Sequence, residues 1–112
     1  MLSWSSNESG TPADLAAIAD GEGDAGLPHG AEIVAFAQAC AGWDDTAIAS
    51  ARAQLVAVAG DAFMIDAAAV LANFEMMTRV ADGTGARFPA ASAPHRADLD
   101  ARLGIAGLTS AR

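Results

Sequence analysis

Apolar residues along this chain recur at helical rather than alternating spacing, and the longest such stretch runs from Asp61 to Gly83. At about 100° per residue, Phe63, Ile65, Val70, Phe74, Met76, Met77 and Val80 gather on one side of a helix. Glu75, Thr78, Arg79 and Asp82 gather on the other. Asp66 and Asn73 fall inside the apolar arc. A carboxylate and an amide buried there would cost about 1–3 kcal/mol each without partners. The pattern therefore makes them either hydrogen-bonding clasps to a neighbouring helix or the directing groups of a small-molecule site.

The same spacing, punctuated by glycine and proline, marks the remaining elements. Residues 1–10 read as a flexible arm in which Trp4 is the one side chain fit to dock. Thr11-Pro12-Ala13-Asp14 starts a short helix that presents Leu15 and Ile18 and stops at Gly21. A glycine-rich loop follows. Ala31 to Ala41 forms the next helix, with Ile33, Phe36, Ala37 and Cys40 at core spacing and Gly42 ending it. Asp44 or Asp45 caps a helix to Ala59 whose inner stripe is Ile48, Ala51, Leu55 and Val58. Gly60 closes that helix and Asp61 opens the long one, which ends at Gly83-Thr84-Gly85. Phe88 to Pro94 reads as an extended linker, because both prolines disfavour helix in the residue before them. A last short helix spans Arg96 to Leu103 and stops at Gly104. The expectation is an all-α small helical bundle of about four to five helices, with a helical domain over 11–88 and a linker plus C-terminal helix over 89–112.

Composition sharpens this in one respect. Hydrophobic residues make up 53% of the 112 positions, but many are alanine, which favours helix and buries little area. A core that thin is completed by association, so a homo-oligomer, most simply a dimer, is the expected state. The formal charge of −8 leaves no basic surface for nucleic acid and would be repelled by an anionic membrane. No apolar run reads as approaching the roughly 20 residues of a span, and Met1 to Gly10 has neither a basic start nor an apolar core, so no membrane partner and a cytoplasmic location are expected. Cys40 stands alone, which excludes an intrachain disulfide and a Cys-x-x-Cys pair.

The string Ala31-Glu32-Ile33-Val34-Ala35-Phe36-Ala37, the turn Trp43-Asp44-Asp45, and the pair of segments Asp66 to Phe74 and Arg79 to Asp82 resemble the C-terminal half of the alkylhydroperoxidase D and carboxymuconolactone decarboxylase-like family. The resemblance covers about Gly30 to Phe88. It implies an all-α fold and obligate oligomerisation. The family's peroxidases use a Cys-x-x-Cys pair with a nearby Glu and His, one thiolate attacking the peroxide and the other resolving it. Here Ala37 and Trp43 stand three residues either side of Cys40, so that chemistry is not carried over.

The remaining polar residues divide between bland and chemical roles. Cys40 reads as a small buried hydrophobe, and His29 and His95 as residues preceding helices, without metal-ligand spacing. Glu75 and Arg79 read as a solvated i,i+4 pair, and Met64, Met76 and Met77 as core or subunit contacts. No catalytic residue, metal or cofactor is implied. Asp66, Asn73 and His29 are the ligand-binding candidates. The leading functional reading is a non-catalytic, self-associating binding or structural module. The alternative is a peroxidase-like enzyme using Cys40 or a lyase-like one using Asp66 with His29. A third reading, an accessory subunit completed by a different protein, would use Trp4 and the apolar tail Leu103 to Leu108 for docking.

Overall fold

The computed structural model describes residues 8–10, 13–14, 23–87, 89–105 and 107. They hold three α-helices, α1 (Gly30–Gly42), α2 (Asp45–Thr84) and α3 (Ala93–Arg102), with a 3-10 turn at Ala90–Ser92 and no strand among the described residues. The all-α expectation holds, with fewer helices than the four to five read from the sequence. Apart from Ala13 and Asp14, the helix expected after Thr11 lies outside the described residues, as do Trp4 and Leu108. By internal packing the chain divides into two compact units, Met1–Ala69 and Val70–Arg112.

In the first unit a folded loop leads into α1. The Asp24 carboxylate accepts the Gly26 N–H at 2.8 Å, and the Asp24 carbonyl accepts from Leu27 at 3.2 Å. This turn brings the Asp24 carbonyl so close to Gly30 that a Cβ there would collide with it. Only glycine fits. His29 stands at the N-cap in the left-handed region (φ 57°, ψ 23°); its carbonyl accepts from Ile33, while its ring makes no capping bond.

The turn from α1 to α2 differs from expectation at one residue. Gly42 remains helical, and Trp43 takes the left-handed terminating position (φ 55°, ψ 32°), its N–H bonding the Cys40 carbonyl at 3.2 Å. Glycine is the usual occupant because it lacks the Cβ that clashes there. Asp44 then settles the open choice of cap for α2: its Oδ1 accepts from the N–H groups of Thr46 at 2.9 Å and Ala47 at 3.0 Å. These bonds satisfy donors that a helix start leaves free.

Helix α2 is not one straight rod, because Gly60 breaks it with non-helical backbone (φ 87°, ψ 167°). That conformation is nearly reserved for glycine, so the sequence punctuation at Gly60 and Asp61 marks a real change of direction. Ahead of the break, Ala51 and Leu55 are buried against Phe36 of α1, and Leu55 is wholly enclosed. Ile33, Cys40, Ala59, Met64, Ala67 and Ala68 pack around that cluster. Of the expected inner stripe, Val58 is exposed.

The second unit carries the rest of α2, which ends in a glycine-terminated motif. Gly85 adopts φ +69°, Ala86 N–H bonds the Ala81 carbonyl at 2.9 Å, and Gly85 N–H bonds that of Asp82 at 3.2 Å. The segment expected as an extended linker is instead a 3-10 turn running into α3. Ser92 donates its hydroxyl to the Pro89 carbonyl at 2.7 Å, and Pro94 falls within the first turn of the helix, where its missing N–H costs nothing. Helix α3 therefore begins three residues before the expected Arg96. Its end repeats the motif of α2, with Gly104 at φ +66° and Ile105 N–H on the Asp100 carbonyl at 3.0 Å. Arg96 grips both carboxylate oxygens of Asp100, at 3.2 and 3.1 Å.

Candidate functional site

Beyond Gly60 the buried side of α2 is not the one that the sequence pattern marks. The side chains that pack inward are Met64, Ala67 and Ala68. On the wheel they share a side with Glu75, Thr78 and Asp82, which was expected to be polar. The inward strip is apolar for two turns and charged thereafter. Leu71 continues that side and is half-buried, but most of the large apolar side chains lie elsewhere: Ile65, Val70, Phe74, Met76, Met77 and Val80 are all more than half exposed, and Phe63 is 39% exposed.

This corrects the reading of Asp66 and Asn73 as buried groups. Both are exposed. Asp66 has no hydrogen-bond partner among the described residues, and Asn73 Nδ2 makes only a long contact of 3.7 Å to the Sδ of Met77 one turn on. Neither is a clasp within the chain. His29 is also exposed, its ring edge-on to Phe63 with centroids 5.8 Å apart. No hydrogen bond or ion pair joins it to Asp66 among the described residues. Glu75 and Arg79, expected to pair, are exposed and form no ion pair among the described residues.

Cys40 sits where the spacing places it, half-buried beside the Phe36 cluster. Burial pushes its thiol above the ordinary 9.0, because the thiolate is the form that loses hydration. A raised value favours the neutral thiol in the folded chain, so its contribution to stability is in place below about pH 9 and lost as pH rises through the raised value. The expected result is that iodoacetamide labels native Cys40 at pH 8 more slowly than the urea-unfolded chain. Faster labelling of the native protein would reveal an activated thiolate and revive thiol chemistry. The other chemistry is sparse: no group of three His, Cys, Asp or Glu side chains converges as for a metal ion among the described residues.

Two features escaped sequence reasoning. Trp43, which the sequence places in a turn, is 81% exposed on a left-handed backbone, and neither its exposure nor that conformation follows from its position after Gly42. The second is that α2 is long and apolar enough to cross a membrane by length and composition, with only 6% of its most apolar stretch buried. This corrects the expectation that no run approaches that length, which arose from reading the segments on either side of Gly60 separately. That stretch of helix nevertheless contains the Gly60 break, and Asp61 and Asp66 follow it closely.

No family model, curated protein or solved structure matches this chain.

Proposed function

We propose that this chain is a non-catalytic, self-associating helical module that keeps the scaffold of the alkylhydroperoxidase D and carboxymuconolactone decarboxylase-like family without its dithiol. One observation carries the reading: among the described residues three apolar side chains are buried, whereas six large apolar ones on α2 beyond Gly60 are more than half exposed. Burial of apolar surface is the main force that holds a chain of this size together, and Val70, Phe74 and Met77, exposed on one side of the helix, mark a contact surface. A bilayer is the weaker occupant. Each Asp near the centre of a spanning helix costs about 2.5–3.5 kcal/mol on insertion scales, and a non-helical Gly60 would leave backbone groups without partners in hydrocarbon. The acidic chain and its lone thiol accord with a cytoplasmic setting.

Light scattering at micromolar concentration should give about twice the 11.2 kDa of one chain, and the thermal midpoint should rise with protein concentration. A mass of one chain with a concentration-independent midpoint would overturn the reading. Co-flotation with neutral lipid vesicles, in place of a soluble dimer, would hand the face to a membrane.

A further inference from the structure

Four of the exposed apolar residues of α2 fall on one line. From Asp61 to Thr84 the helix is unbroken, and the exposed Phe63, Val70, Phe74 and Met77, together with the half-buried Ala67 and Ala81, follow one another at spacings of four, three, four, three and four, with Ala67 at the border of the side that packs on the Phe36 cluster. That is the spacing of a coiled-coil seam. Asp66 and Asn73 stand at one flank of it, which is why they seemed to interrupt an apolar arc.

Resting on the self-association just argued, we propose that α2 pairs antiparallel with α2 of a second copy, in the register that sets residue 70 against residue 74 of its twin. The order of large and small residues carries the direction and the register. When one helix runs opposite to its copy about this centre, Phe63 meets Ala81, Met77 meets Ala67 and Phe74 meets Val70, so every layer joins a large side chain to a smaller one. A parallel pairing would set Phe74 against Phe74 and Ala67 against Ala67, crowding one layer and leaving a void in the next. Shifting the antiparallel pair by one heptad sets Phe63 against Phe74, or Phe74 against Met77. A foreign helix would have no reason to mirror this order.

The area also suffices for a second copy. Phe63, Val70, Phe74 and Met77 are between 39% and 57% exposed. Taking a full aromatic side chain at about 200 Å², these four with the neighbouring alanines and Val80 offer about 500 Å² per copy, or about 1,000 Å² for the pair, the threshold of a specific interface. In this register Asn73 faces Asn73 of its twin across the two-fold axis, where two amides can bond each other. Residues flanking such a seam set partner choice and orientation. Asp66 faces Val80 of the twin, so no carboxylate meets a carboxylate.

Crosslinking of the full chain in a Cys40→Ser background tests the register, with folding of each variant checked by circular dichroism. The reagent is a bismaleimide spanning about 10 Å, the separation of packed helix axes. Asn73→Cys should crosslink to itself in high yield. Asp66→Cys and Val80→Cys should each fail alone, since each would lie about 20 Å from its own twin at 1.5 Å per residue, yet mixing the two should give a crosslinked heterodimer. A stable dimer in which Asn73→Cys does not crosslink, or Val80→Cys crosslinks to itself, overturns the register while leaving self-association standing. A monomer by light scattering removes both.

Discussion

Leu55→Ala should lower the thermal midpoint by about 10 °C or more. Leu55 is wholly enclosed, and with Phe36 and Ala51 it makes up the buried apolar cluster among the described residues. Truncating a buried leucine costs about 2–5 kcal/mol, because transfer energy is lost and a cavity remains. For a domain of roughly 100 residues each kcal/mol moves the midpoint by about 4–8 °C. The matched control is Val58→Ala on the same helix. Val58 was assigned to the same inner stripe from its spacing, but it is 47% exposed, so its truncation should move the midpoint by only a few degrees. Far-ultraviolet circular dichroism melts of the two variants at equal concentration decide the matter. Equal losses would mean that the stripe extends to Val58 and that the core is larger than the Phe36 cluster.

The contrast between Leu55 and Val58 shows how far the sequence could be read. Helices α1 and α2, the break at Gly60 and the stops at Gly85 and Gly104 were legible, because each rests on local chemistry: apolar spacing, a capping carboxylate, a glycine able to take positive φ. The buried face of α2 beyond Gly60 was not. A helical wheel ranks faces by the size of their apolar side chains, but the side that packs inward is lined by Ala67, Ala68 and Met64, where small residues let helices approach. The bulky residues mark a different side. Where a chain packs tightly through alanine and keeps its large residues for another surface, the strongest hydrophobic signal points away from its own core. The same misplacement produced the reading of Asp66 and Asn73 as buried groups. Trp43 was missed for a related reason: glycine was expected to end α1, and the adjoining tryptophan occupies the strained position instead. Pro94 was read as excluding helix from the residue before it, when a proline in the first turn is equally a helix start.

Phe74→Asp should dissociate the dimer while leaving the Phe36 cluster intact. Phe74 is 53% exposed in the single chain, so its loss removes little packing within one copy. In the proposed pairing it fills two symmetry-related layers, so each substitution counts twice. A central aromatic contact is worth about 2 kcal/mol or more at an interface, and two of them correspond to a weakening of about a thousandfold in Kd. Placing a carboxylate against an apolar partner adds the cost of stripping its water. The control is Met76→Asp, which adds the same charge to a chain already at −8 at a residue of similar exposure, 57%, but on a different side of the helix. General repulsion between acidic copies would weaken both variants alike. A specific seam predicts that Met76→Asp remains dimeric in sedimentation equilibrium, whereas Phe74→Asp runs at the mass of one chain and loses the concentration dependence of its thermal midpoint. Equal dissociation of the two would reduce the seam to a diffuse apolar surface, and dissociation by Met76→Asp alone would place the interface on the opposite side of α2.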